Sequence, residues 1–254
     1  MPDKSASVRL NKAISDTGYC SRREADKIIE QGRVTINETK GVLGSKVVEG
    51  DVVKIDGKTL KSPQTTIYIA FNKPKGITCT TETKIAGNII DYIHHPQRIF
   101  PIGRLDKDSE GLIFLTSDGN MVNKILRAGN NHEKEYVVKV NKPITREFII
   151  KMGNGIPVLD TVTAKCFVKR EGTNEFRIIL TQGLNRQIRR MCEYLNYEVV
   201  KLKRIRIMNI ALGNLPIGKW RDFTKQELDG VNRLVSGSVK TEEASHPVSI
   251  KNRR

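Results

Sequence analysis

No run of about 18 apolar residues occurs anywhere in the 254-residue chain, so no membrane-spanning helix is expected. The first ten residues, MPDKSASVRL, lack the apolar centre of an export signal. Only four cysteines occur, Cys20, Cys79, Cys166 and Cys192, and no two stand at zinc-ligand or redox-motif spacing. Without export they read as reduced thiols and small core residues of a cytoplasmic protein. No histidine is arranged with serine or cysteine in a way that suggests a hydrolytic triad. His94, His95 and His132 lack metal-ligand companions and read as surface loop residues, so no metal is expected. Gly-rich phosphate loops, dinucleotide fingerprints and internal repeats are missing as well.

Basic charge, by contrast, is plentiful. Lys and Arg number 44 against 28 Asp and Glu, a net charge of +16. That excess argues against a small neutral metabolite as substrate. It favours a polyanionic partner, RNA or DNA ahead of a membrane surface. The excess is unevenly placed: residues 1–60 hold eleven Lys/Arg and nine Asp/Glu, leaving most of it downstream.

From Val8 to Ile55 the pattern is that of a small module. Leu10, Ala13 and Ile14 follow helical spacing, closed by Thr17-Gly18. Ser21 and Glu24 form a capping box for a second helix with Ala25, Ile28 and Ile29 on its buried stripe, and Gly32 stops it. Val34–Asn37 and Val52–Ile55 alternate as short strands. With Arg9, Lys12, Arg22, Arg23 and Lys27 near the helix starts, the stretch RLNKAISDTGYCSRREADKIIEQGRVTIN resembles the S4 RNA-binding module. Residues 61–66, KSPQTT, read as a linker. Beyond it, strands are expected at 67–71, 112–116, 136–140, 161–168 and 176–181, and a helix over 188–195. This alternation predicts an α+β domain around a mixed sheet over 67–235, with a polar tail over 236–254.

The stretch GRLDKDSEGLIFLTSDG poses the functional question. As a calcium loop it would offer Asp106, Asp108 and Glu110, but position 12 is Ser117, which cannot supply the bidentate carboxylate. As turn residues its acids are unremarkable ahead of the Leu112–Leu115 run, and Gly111 would let the chain turn into that strand. A third reading draws on other segments: FNKPKGITC, with its Lys73 turn; HEKEYVVKV, with Tyr136; and TQGLNRQIRRMCEYL, with Arg186, Arg189 and Arg190. One carboxylate, one tyrosine and a cluster of arginines could serve a nucleic-acid base. Further along, Lys201, Lys203, Arg204 and Arg206 alternate with apolar residues as a strand with one cationic face, suited to tracking phosphates.

Taken together, PIGRLDKDSEGLIFLTSDG, NKPKG, KEY and QGLNRQIRRM resemble the motifs of RsuA-type ribosomal RNA pseudouridine synthases, and most of all the members acting on large-subunit RNA. The likeness spans residues 7–230. It implies a catalytic domain built on a mixed, mainly antiparallel sheet with flanking helices, behind the S4-like module at 1–60. It also implies isomerisation of a chosen uridine in a ribosomal RNA stem-loop, or in transfer RNA, with no cofactor. Asp106 matches the family's essential aspartate, Tyr136 the tyrosine that stacks on the target base, and Arg189 the basic partner of the aspartate, with Arg190 one place away. Arg104 matches the arginine that fills the space of the flipped uridine. Asn72, Lys73, Pro74 and Gly76 match a structural motif at the cleft, where Lys73 would also meet RNA. A monomer is expected. The competing reading is an inactive RNA-binding protein of ribosome assembly; it needs no aspartate beside an RNA cleft.

Overall fold

The computed structural model describes residues 7–61, 65–126 and 132–236. Two units divide the chain, the first within residues 1–66 with 96–98 and the second comprising the rest from residue 67. The first opens with β1 (Val8–Arg9), α1 (Leu10–Asp16) and α2 (Arg22–Glu30). Glu24 N–H donates to Ser21 Oγ at 3.2 Å, and Ser21 N–H donates to the Glu24 carboxylate at 2.7 Å, completing the capping box. Leu10 and Ile14 of α1 share a core with Ala25 and Ile29 of α2. Gly18 (φ +80°) and Gly32 (φ +71°) carry the left-handed exits from the two helices. There follow β2 (Val34–Ile36), β3 (Thr39–Lys40), β4 (Lys46–Val47), β5 (Val53–Ile55) and β6 (Lys58–Thr59). They form an antiparallel sheet in the order β3-β2-β5-β6, with β4 paired to β1.

The second unit runs β7 (Tyr68–Lys73), α3 (Ile89–Ile93), β8 (Phe100–Ile102), β9 (Glu110–Thr116), α4 (Gly119–Leu126), β10 (Lys134–Val140) and α5 (Arg146–Asn154). It continues with β11 (Pro157–Val158), β12 (Thr161–Val162), β13 (Phe167–Arg170), β14 (Glu175–Leu180) and α6 (Gln187–Tyr194). It ends with β15 (Val199–Ile207), β16 (Ile210–Ala211), β17 (Trp220–Asp222) and α7 (Lys225–Ser236). The main sheet has the order β13-β14-β10-β15-β9-β7-β17, with β16 on β15 and β8 on β9. Its β15–β9 pairing is parallel, and its other pairings are antiparallel.

Every residue of β9 is buried, as expected of a strand covered on both faces. Ile113 and Leu115 face one core with Phe148 and Met152 of α5 and Ile188 and Met191 of α6. Leu112 and Phe114 face a second core with Met121 and Ile125 of α4 and Val231 and Val235 of α7. Helices therefore cover both faces of the sheet, each anchored by an apolar stripe.

One expected strand divides. The 161–168 run gives β12, which pairs with β11, and β13, which pairs with β14 of the main sheet; Thr163 extends the first pairing, its hydroxyl accepting from Ile156 N–H at 2.9 Å and its own N–H donating to Ile156 O. The expected linker overlaps residues 62–64, and the expected tail, past Ser236 of α7, falls on 237–254; both stretches lie outside the described residues. Among the described residues no helix is long and apolar enough to cross a membrane.

Candidate active site

The segment between β8 and β9 carries Arg104, Asp106 and Asp108, and three contacts shape it. Ser109 N–H donates to Asp106 O at 3.0 Å, closing a turn around Lys107 and Asp108. Gly76 N–H donates to Lys107 O at 2.7 Å, so the Lys-Pro-Lys-Gly turn grips the loop from the side. Leu105 is buried, its N–H directed at Cys79 Sγ. Lys73 stabilises the gripping turn from within: its ammonium donates to the carbonyls of Pro74 (2.9 Å) and Ile77 (3.0 Å). The expectation that Lys73 meets RNA is corrected, since the residue is 0% exposed. Burial lowers its pKa, opposed by the nearby charges of Asp106 and Asp108.

Asp106 lines a cavity of about 760 Å³ together with Arg104, Lys134, Tyr136, Arg186, Arg189 and Arg204. Tyr136 is almost buried on β10, with Arg204 of β15 as its cross-strand partner and the guanidinium carbon 6.0 Å from its ring centroid. Asp106 is partly exposed at the mouth, and Arg104 is exposed beside it.

The arginine pairing differs from the one the motifs implied. Arg186 is the guanidinium that reaches Asp106, at 3.8 Å, while it contacts Asp108 at 3.3 Å. Arg189 is 8% exposed and runs beneath the loop. It pairs with the Asp108 carboxylate (3.2 Å) and donates to Asp108 O, Ser109 Oγ and Val199 O. The reason lies in α6: Arg186 precedes the helix in a left-handed conformation (φ 50°), which sets it at the cavity mouth, whereas Arg189 is already one turn in and faces the core. Arg190 turns back instead onto Asn185. Asp108, read as a plain turn residue, is thus the acid that both arginines hold. Burial alone would raise its carboxyl, but the Arg186 hydrogen bonds and the Arg189 charge outweigh it and hold the pKa below the usual range.

The cationic strand face also resolves differently. Arg204 is 4% exposed and donates from Nε to Leu112 O at 2.6 Å, so it is part of the cavity wall and not a phosphate-tracking surface residue. Arg206 is held by Glu133 and Glu135, and Lys201 by Glu110. Lys203 is half-buried opposite Val137 of β10. In the first unit Arg9, Arg22, Arg23 and Lys27 are exposed, and Lys12 pairs with Asp16.

Two site residues were not singled out from sequence. Asp108 had no signal separating it from a turn aspartate. Lys134 did: it lies two residues before Tyr136 on the same strand, and period-two alternation puts both on one face. Burial, with the charge of Arg204 adding to it, pushes the Lys134 ammonium down to about 8. His132, expected at the surface, is buried, with Nε2 3.2 Å from Lys124 O. All four cysteines are free, and burial pushes the Cys166 and Cys192 thiols up to about 11 and 12, which keeps them protonated.

Residues 67–194 match the family described as RNA pseudouridylate synthase, and residues 8–53 match the S4 domain. A Salmonella typhi protein, the dual-specificity RNA pseudouridine synthase RluF, is 59% identical over 91% of this chain and 81% of its own. Its Escherichia coli K12 counterpart is 57% identical over 94% and 82%. The ribosomal large subunit pseudouridine synthase B of Bacillus subtilis is 33% identical over 89% and 96%. A solved pseudouridylate synthase of 26% identity superposes with a TM-score of 0.65, covering 89% of this chain and all of the other.

Proposed function

This chain belongs to the RNA pseudouridylate synthases, and on that premise we propose that it isomerises one or more uridines held in structured ribosomal RNA, the large subunit's first, with transfer RNA as a further substrate. Residues 1–60 act as the RNA-docking module and 67–235 as the catalytic domain, in a cytoplasmic monomer that uses no cofactor. What supports the reading most is one cavity that gathers Asp106, Tyr136 and several cations, in a chain carrying +16.

The chemistry assigned to each residue follows from the reaction. A uridine in a stem must leave the stack before its glycosidic bond can be reached, and the cavity offers room for a base. Asp106 acts as the carboxylate nucleophile, either at the base or at the ribose. The bond from N1 to C1′ breaks, C1′ rejoins the ring at C5, the C5 proton is lost and N1 gains one, so atoms balance without a second reactant. Tyr136 presents its ring to the base, an interaction worth about 1–3 kcal/mol, and stands near the C5 proton. Arg186 and Arg189 keep Asp108, and through it the loop bearing Asp106, in place. Arg104 at the mouth takes the space the flipped base leaves.

The direct test is tritium release from RNA labelled at uridine C5, followed by mapping of the modified position. Release from large-subunit RNA is expected. Release from neither ribosomal nor transfer RNA would point instead to a protein that only binds RNA.

A further inference from the structure

One nitrogen of a buried guanidinium in the cavity wall has no partner among the described residues. Arg204 Nε is satisfied by Leu112 O, which ties β15 to β9. Its Nη2 is fully buried and has no hydrogen-bond partner among the described residues. An arginine cannot shed its proton to escape that cost, and it offers donors only. An unbranched apolar side chain such as methionine would have sealed the sheet without the cost. The residue also lies where a ligand comes: it lines the cavity with Asp106, and its guanidinium carbon is 6.0 Å from the Tyr136 ring centroid. Lys134, on the next strand, adds a second cation to the same wall. A base resting on Tyr136 would bring its edge to this pair, and a donor-only edge calls for an acceptor.

We propose that Arg204 reads the flipped base: its buried guanidinium donates to a carbonyl oxygen of the uracil ring, making it a specificity-determining residue of the reaction. This rests on the cavity being the uridine pocket. A site built to donate to a substrate oxygen rejects an analogue that lacks it, because the donor is then left unpaired. If the oxygen is the one on C4, Arg204 is what separates uracil from cytosine, whose C4 carries an amine.

The test uses the full chain and an RNA whose target uridine is tritiated at C5 and carries oxygen or sulfur at C2 or at C4. Sulfur is the weaker acceptor. Wild type is expected to release tritium about 10- to 100-fold more slowly when sulfur replaces the oxygen that Arg204 meets, the range of one charge-assisted hydrogen bond. Arg204→Met should be slowed to a similar degree on the natural RNA, without weaker RNA binding, and should be indifferent to that sulfur. Arg204→Lys should recover part of the rate. Wild type tolerating both sulfurs, or penalties that multiply at both positions, would overturn the proposal. Should Arg204→Met melt early for want of the Leu112 bond, the sulfur series on wild type and Arg204→Lys decides alone. A wild type that releases tritium from its natural RNA but ignores sulfur removes only this proposal. A wild type that releases none removes the pocket assignment as well.

Discussion

Lys134 shows what one buried cation does to a site and to a stability curve. Its ammonium titrates near 8 in the folded chain against an ordinary 10.5. Below about pH 8 both folded and unfolded chains hold the proton, and the folded state carries the cost of burying it. Between about 8 and 10.5 the unfolded chain keeps the proton while the folded chain has released it, so stability rises with pH across that window. Lys134→Met should abolish the rise, a difference of about 1–3 kcal/mol, seen as melting curves of the two proteins that converge or cross between pH 7.5 and 10. Parallel curves would contradict the burial argument. The same scale explains what motifs left unread. Asp106, Tyr136 and the arginines are singled out by the resemblance of their motifs taken together, since a turn alone gives an aspartate reason enough to be there. Which arginine meets which acid is not legible that way, because the answer depends on the left-handed turn at Arg186 and on α6 directing Arg189 inward.

Among the elements, local chemistry was legible and long-range contact was not. The Ser21–Glu24 capping box, the stops at Gly18 and Gly32 and the buried strand β9 follow from interactions within a few residues of sequence. The alternating Lys201–Arg206 run reads as a strand, and β15 is one. It has no single cationic face: Arg204, next to Lys203, points to the opposite side of the strand and is buried, while Lys201 and Arg206 are taken up by Glu110, Glu133 and Glu135, 70 or more positions away. From sequence Gly111 reads as a turn glycine, yet it lies inside β9 with φ +108°. A methyl group there would stand 2.2 Å from the backbone oxygen of Arg204, in the parallel pairing that joins the two halves of the sheet. Gly111→Ala is therefore expected to destabilise the protein by about 3 kcal/mol or more, combining left-handed strain with a backbone clash. Chemical unfolding checks this; a loss below about 1 kcal/mol would mean that β9 and β15 separate cheaply.

For the molecule as a whole, charge and family membership converge on RNA. A basic protein that meets six phosphates should lose about 10³-fold in RNA affinity between 50 and 200 mM salt, measured by titration of a stem-loop. A flat response would place the excess charge away from the RNA. Binding and chemistry must then be separated, and Asp106→Asn does so by removing the carboxyl group proposed as nucleophile while keeping nearly the same shape. The most direct measurement is tritium release from C5-labelled ribosomal RNA by wild type and Asp106→Asn, at protein concentrations where both are bound. Release by wild type and none by the variant, with affinities within about threefold, is the expected result. Release by the variant at a rate near wild type would contradict the assignment of Asp106 as the group that carries the reaction.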